Sequence, residues 1–470
     1  MFLHLLRWSI VTALVALAWP QQATAEPNKP ICLHPDNPHY FLFRGKPAVL
    51  ITSGEHYGAV LNLDFDYRRY LDELQARGLN LTRTFSGTYR EIPGSFTIIE
   101  NTLGPMPGRY ACPWARSKTP GAADGGAKFD LKRWDPAYFQ RLKDFLSEAG
   151  KRGIVVELVL FCTFYDEGLW NVNPMNARNN TDGIGKVLHK EVLALKDENL
   201  TRVQEALVHK IAAELKGFDN VYYEICNEPY FAGVTREWSD RIAATLVDAE
   251  SAFPAKHLIA QNIANGKAKI VEPNSRVSIF NFHYASPPDT VAMNYGLGKV
   301  IADDETGFKG KEDFWYRREG WEFILAGGAA YSNLDYSFTC SRPDGTFTVT
   351  TSPGGGGPSL RSQLKILKQF IDGFDFLRMK PDNGVLRGEH PRARALVETG
   401  KAYAIYLSGG NGAKLQIELP AGSYKTEWIN TKTGNVDRAE TFQHSGGERT
   451  LVAPNYVEDI ALRIRRSSDR

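Results

Sequence analysis

Cysteine is scarce in this chain: Cys32, Cys112, Cys162, Cys226 and Cys340 are the only five in 470 residues. An odd count leaves at least one thiol unpaired, and no Cys-x-x-Cys or Cys/His spacing of the zinc-binding kind is present. Cys162 and Cys226 fall in apolar runs that predict strands, where a small buried thiol is the plain reading. Cys112 and Cys340 fall in long loops and are free to pair. An excess of charge of one sign is also missing, since 56 Lys and Arg face 54 Asp and Glu. Nothing therefore points to capture of nucleic acid or of an anionic membrane. No Gly-x-Ser-x-Gly elbow occurs, and no serine ends a strand beside a suitable histidine and acid, which argues against an esterase. Beyond the N-terminus no apolar run is long enough to span a bilayer.

The N-terminus itself reads as an export signal. Arg7 supplies the positive region, Trp8 to Trp19 the short apolar core, and Ala23-Thr24-Ala25 a small-residue cleavage site. Residues 1–25 are expected to be removed, leaving an exported protein, periplasmic or extracellular, with no membrane attachment; an uncleaved anchor is the alternative.

From there a unit recurs. A helix with an apolar stripe ends at glycine and is followed by a buried strand: Asp66 to Arg77 with Gly78, Asp135 to Ala149 with Gly153, and Leu200 to Lys216 with Gly217. The strands that follow begin near 81, 155 and 222, and further strands near 49, 258, 278, 300 and 331 bring the count to eight. Eight strands alternating with helices predict an α/β chain folded as a closed (β/α)8 TIM barrel over 31–377. After about Leu377 helical stripes give way to short strands and Gly/Asn turns, which predicts a small C-terminal β-sandwich over 385–466. Three connections, 87–133, 163–198 and 338–357, are too long for turns and follow strands 2, 3 and 8, so they extend on one face. Their aromatic and basic residues, Tyr89, Trp114, Arg116, Tyr165 and Trp170, are candidate cleft walls. Gly354 to Gly357 reads as a flexible linker, and Pro358-Ser359 as the cap of the last helix.

Two strands end in carboxylates. Val221 to Cys226 stops at Asn227-Glu228-Pro229, where proline cannot continue the ladder, and Val300 to Ala302 runs into Asp303-Asp304-Glu305. Strand alternation places Glu224 and Glu228 on one face, and Asp303 with Glu305 on another, leaving Asp304 turned outward. Two carboxylates at the same barrel mouth are what glycoside hydrolysis requires. Arg83, a charge inside a strand, needs a partner when buried, and beside Glu305 it would hold that carboxylate ionised; a salt bridge holding the barrel mouth is the bland alternative. Tyr284 could hydrogen-bond the same carboxylate. His283 is either a substrate contact or a structural hydrogen-bonder. Asn227 is placed for a sugar 2-hydroxyl, and Glu55, His56 and Gln261 are further candidates.

The run Tyr223 to Pro229, with Ala302-Asp303-Asp304-Glu305-Thr306-Gly307 near the end of the barrel, resembles the retaining glycoside hydrolases of clan A. The likeness is to cellulase-like bacterial members that carry a C-terminal β-sandwich. The resemblance implies Glu228 as acid/base, Glu305 as nucleophile, Asn227 on the 2-hydroxyl, and Arg83 and Tyr284 around the nucleophile. Where that clan often has tryptophan after strand 8, this chain has Tyr331-Ser332-Asn333-Leu334-Asp335-Tyr336. The expected substrate is a poly- or oligosaccharide, with no cofactor and no metal. Glu228 is expected to be held protonated by burial and by the Glu305 charge. The rival is a barrel that binds carbohydrate without cleaving it.

Overall fold

The capping aspartates act where the sequence places them. Asp66 accepts hydrogen bonds from the backbone N–H groups of Arg68 and Arg69 and starts α1, Tyr67–Ala76. Asp135 accepts from Ala137 and starts α2, Pro136–Lys151, with proline at a position whose N–H has no helical acceptor to lose. Gly78 and Gly153 adopt φ of 67° and 72°, the left-handed stop that a side chain would strain. The computed structural model describes residues 29–388 and 392–467. The segment 1–25, read above as an export signal, lies outside them.

Eight parallel strands make up the barrel sheet. They are β1 (Leu50–Gly54), β2 (Leu81–Phe85), β3 (Val155–Cys162), β4 (Val221–Asn227), β5 (Ile259–Asn265), β6 (Ile279–His283), β7 (Val300–Glu305) and β8 (Ala330–Leu334). Their order in the sheet is β1-β8-β7-β6-β5-β4-β3-β2. The seam between β1 and β2 is closed by Asn80. Its side chain accepts from Ile51 N–H at 2.9 Å and donates to the Val49 carbonyl at 3.0 Å, while its own N–H reaches the Ile51 carbonyl at 3.2 Å. The chain is thus a (β/α)8 barrel, wrapped by α1, α2, α3 (Glu198–Leu215), α4 (Arg236–Ala249), α5 (Asp289–Asn294), α6 (Asp313–Leu325) and α7 (Pro358–Asp372). Residues 266–278 link β5 to β6 as an irregular loop. A small three-stranded sheet, Cys32–Leu33, Phe41–Phe43 and Lys46–Ala48, lies at the start of β4, where Phe41 stacks on Tyr222. No helix among the described residues is long and apolar enough to cross a membrane.

Two expectations for the region after β8 are corrected. The glycine run is not a loose linker: at Gly356, with φ of 128°, a Cβ would lie 2.0 Å from Asp335 Oδ1. Asp335 itself is fixed by Ser53 Oγ at 2.8 Å and Arg361 Nη1 at 2.6 Å. Glycine is needed there so that the backbone can press against a buried ion pair. The helix cap is likewise not Pro358-Ser359, because Gly357 occupies the N-cap and Pro358 is the first helical residue. Cys112 and Cys340 are both free thiols.

The C-terminal strands form two antiparallel sheets, one of six strands and one of three. Alternation explains how they pack. In Lys414–Leu419 every second residue, Leu415, Ile417 and Leu419, is buried and meets Ala395, Val397, Ile405 and Ile464 of the larger sheet in a shared apolar layer. The opposite face of that larger sheet presents Leu396, Ala404, Tyr406 and Ala461 to the barrel core. Arg317 of α6 anchors this junction. It is 1 % exposed, pairs with Asp459 at 2.9 and 3.0 Å, and donates to Gln363. Asp459 also accepts from the hydroxyls of Tyr406 and Thr431. Removing the cation alone leaves a buried carboxylate without its charge partner, so R317M is expected to lose about 3 kcal/mol of stability in urea unfolding. A loss below 0.5 kcal/mol, the range of an ordinary surface substitution, would show that the pair does not hold the junction.

Candidate active site

Three barrel strands end in backbone that side chains rarely tolerate. Tyr57, just beyond β1, has φ of 63°, Glu228, directly after β4, has φ of 48°, and Tyr284, directly after β6, has φ of 54°. Each such residue costs on the order of 1 kcal/mol, and such strain gathers at functional sites. At β4 the turn is what allows neighbours Asn227 and Glu228 both to reach the mouth, where strict alternation would separate them.

Glu228 and Glu305 meet there, each 7 % exposed. One carboxylate oxygen of each, together with a ring nitrogen of His283, lies within 4.8 Å of the others. Glu228 Oε2 accepts the hydroxyl of Tyr165, while its Oε1 is 3.2 Å from His283 Nδ1 and 3.3 Å from the Tyr230 hydroxyl. Glu305 Oε2 accepts from Arg83 Nη1 at 3.1 Å and its Oε1 from the Tyr284 hydroxyl at 2.9 Å. Asn227 accepts from Arg83 Nη2 at 2.8 Å and turns its amide toward Tyr165. His56 stands opposite, 3.4 Å from Glu91. Burial pushes the His56 ring down, but the Glu91 charge and contact, with Glu305 and Glu55 behind, leave it above the ordinary histidine value. Glu228, Glu305, Asn227, Tyr284 and His56 line a cavity of about 340 Å³ walled by Tyr89, Phe96, Tyr165, Phe231 and Phe308.

Beneath the pair sits a buried cluster of acids around Arg83. The guanidinium contacts Glu224 at 2.6 Å, Asp304 at 3.2 Å, Glu305 at 3.1 Å and Glu157 at 4.0 Å. Glu157, Glu224 and Asp304 are close enough to share a cation, and the guanidinium already supplies one. Asp304 points into the barrel, contrary to the alternation argument. The β6–β7 register shifts so that Phe282 pairs with Asp303 and His283 with Glu305, leaving Asp304 as the extra residue of a bulge. Asp303 is the one turned away, toward Glu319 of α6.

One positive charge does not satisfy four acids. Burial and the neighbouring Glu224 charge push Glu157 up to about 8, against Arg83 and the hydrogen bonds of Asn281 and Tyr222. Asp304 is pushed well above the ordinary range, chiefly by burial. Glu228 behaves differently from expectation. Burial raises it, but the contacts of His283, Tyr165 and Asn265 outweigh burial and hold it below the ordinary carboxylate value.

Two proposed walls are not walls. Trp170 is 0 % and Trp114 1 % exposed. Trp170 packs on Phe164 and donates to the Val187 carbonyl, and Trp114 stacks on Trp134. A long loop must bury apolar surface of its own, and the indoles do that here. Arg116 pairs with Asp124 and lies over Phe129. Glu55 accepts from Gly58, Ala59 and Thr102 and so serves a turn. Asn281, which bridges Glu157 and Asp304 at 2.6 and 2.8 Å, escaped the sequence reading. Its signal was a lone polar residue inside the apolar run of β6, as Glu157 is inside β3.

No protein-family model matches the chain, and no curated protein matches it. Solved structures do match in fold. A glycoside hydrolase aligns with a TM-score of 0.63 at 14 % identity, covering 94 % of this chain and 98 % of the other. A glycoside hydrolase family 5 structure from Bacteroides vulgatus aligns at 0.64 and 14 %, covering 94 % and 93 %. The chain shares the fold of these glycoside hydrolases over nearly its whole length, in line with the clan A resemblance read from its sequence.

The cluster of acids makes a prediction about pH. Glu157 keeps its proton in the folded state while the unfolded carboxyl loses it, so the folded state binds more protons between about pH 4.5 and 8. The stability linked to this group is full below that window and lost as pH rises through it. In urea titrations from pH 5 to 8, E157Q is expected to lose less stability than the parent protein. An identical slope would show that Glu157 is ionised throughout.

Proposed function

We propose that this chain is an exported, retaining glycoside hydrolase acting on a poly- or oligosaccharide. The observation that carries the reading is that one carboxylate oxygen of Glu228 and one of Glu305 lie within 4.8 Å of each other at the carboxyl rim of the barrel. Carboxyl groups about 5 Å apart suit direct attack, whereas inverting sites need roughly 6.5–9.5 Å to admit a water. In this reading Glu305, held by Arg83 and Tyr284, attacks the anomeric carbon. Glu228 protonates the leaving oxygen, then as a base activates the water that releases the sugar. Asn227, which bonds Arg83 and Tyr165 and lines the same cavity, would meet the sugar 2-hydroxyl in this reading.

The N-terminal signal pattern supports export, and the near-balanced charge supports a neutral substrate over a polyanion. Fold likeness to glycoside hydrolases agrees with the assignment, and the residue roles rest on the geometry of this chain.

The test is E305A with aryl glycosides of glucose, mannose, xylose and galactose. Turnover by the parent protein is expected to vanish in E305A and to be partly restored by azide, which fits the space the carboxylate leaves. NMR of the first product should show the anomer of the substrate. Undiminished turnover by E305A would remove it from the site, and sugar binding without any product would favour the non-catalytic alternative.

A further inference from the structure

In the resting site the proposed acid faces a difficulty. His283, Tyr165 and Asn265 hold Glu228 below the ordinary carboxylate value, which favours its charged form, yet the first step of hydrolysis consumes a proton. The structure contains a place for that proton one residue further in. His283 is fully buried and lies between two acids, with Nδ1 3.2 Å from Glu228 Oε1 and Nε2 3.6 Å from Asp304 Oδ1. His283 Nε2 and Asp304 Oδ1 are both buried and neither has a hydrogen-bond partner. They face each other a few tenths of an ångström beyond bonding distance, the kind of gap that closes when substrate tightens a site. Asp304 reaches this position only because of the β7 bulge.

We propose that Asp304 is the proton reserve of the site and that His283 relays its proton to Glu228. This rests on the hydrolase reading above and deepens it. As the glycosidic bond breaks, the Asp304 proton moves to His283 Nε2, the Nδ1 proton moves to Glu228 Oε1, and Glu228 delivers it to the leaving oxygen. Glu305 meanwhile forms the bond to the anomeric carbon. In the second step Glu228 takes a proton from the attacking water, the relay runs backward, and Glu305 leaves as carboxylate while Asp304 is reprotonated.

Charge balance favours this exchange. Glu305 loses its negative charge when it becomes an ester, and Asp304 gains one in the same step. Both contact Arg83, at 3.1 and 3.2 Å, so the guanidinium faces an unchanged total. The other groups facing Asp304 are Glu157 of β3, Glu224 of β4, Asn281 of β6, and the phenols of Tyr57, Tyr222 and Tyr230. Those facing His283 are Glu228, Glu305, Tyr230 and Tyr284. None of these phenols ionises readily, since burial raises each of them, so a donor for the relay is confined to the acids. Of those, Asp304 is the one aligned on Nε2.

Asp304 is therefore a positioning residue, and D304N separates its role from that of the carboxylate pair. Asparagine preserves size and can still hydrogen-bond His283, but holds no transferable acid proton. With dinitrophenyl glycosides, whose leaving group needs no proton, D304N should lose far less of the parent kcat/KM than with substrates whose leaving group must be protonated. With methoxyphenyl glycosides of the same sugar, kcat/KM should fall about 10²-fold, the scale of general-acid assistance, and the basic limb of its pH profile should shift to lower pH. Equal loss on both substrates, or an unmoved profile, would overturn the relay while leaving the hydrolase reading intact. If D304N does not fold, a proton inventory on the parent enzyme decides. A curved dependence on deuterium content supports several protons in flight, and a linear one overturns the relay. Failure of the parent enzyme to cleave any of these glycosides would overturn the hydrolase reading, and the relay with it.

Discussion

A single guanidinium inside the barrel, that of Arg83, is the constraint on which the site depends. Burying an arginine is tolerable only with charge partners and hydrogen bonds around it, and here the partners come from three other strands: Glu157, Glu224, and the neighbours Asp304 and Glu305. That arrangement ties β2, β3, β4 and β7 together at one level. It also fixes the direction of Glu305 and, through Asn227, the end of β4. The price is a surplus of acid, and burial disfavours the charged forms of Glu157 and Asp304 and raises both.

Above that level the backbone gives way. The bulge in β7 and the left-handed residues Tyr57, Glu228 and Tyr284 all lie within the rim. They bring consecutive side chains into the same space, Asp304 with Glu305 and Asn227 with Glu228, where regular strands would send them to opposite faces. Local strain and pairing defects are thus the means by which the barrel concentrates polar groups. The long loops contribute differently. Their tryptophans join the apolar core of the barrel, and the cleft is lined instead by smaller rings, among them Tyr89, Phe96 and Phe231.

Packing outside the barrel follows ordinary alternation. The C-terminal sheet buries one face against its own partner sheet and the other against the barrel, with Arg317 and Asp459 as the polar contact of that junction.

The barrel was legible because its signals are local. Asp66 and Asp135 cap helices, Gly78 and Gly153 end them, and apolar runs such as 155–162 have no alternative to burial, so eight strands could be counted from residues alone. The ends of β4 and β7 were legible for the same reason: an apolar run that meets Asn227-Glu228-Pro229 or Asp303-Asp304-Glu305 must stop. The inward turn of Asp304, the burial of Trp114 and Trp170, and the downward shift of Glu228 were decided only in three dimensions. Each depends on a partner distant in sequence: the register against His283, the loop residues Trp134 and Val187, and the contacts from Tyr165 and His283. A strand's period of two says which residues alternate, but a one-residue bulge set by a neighbouring strand reverses the answer, and no local pattern records it.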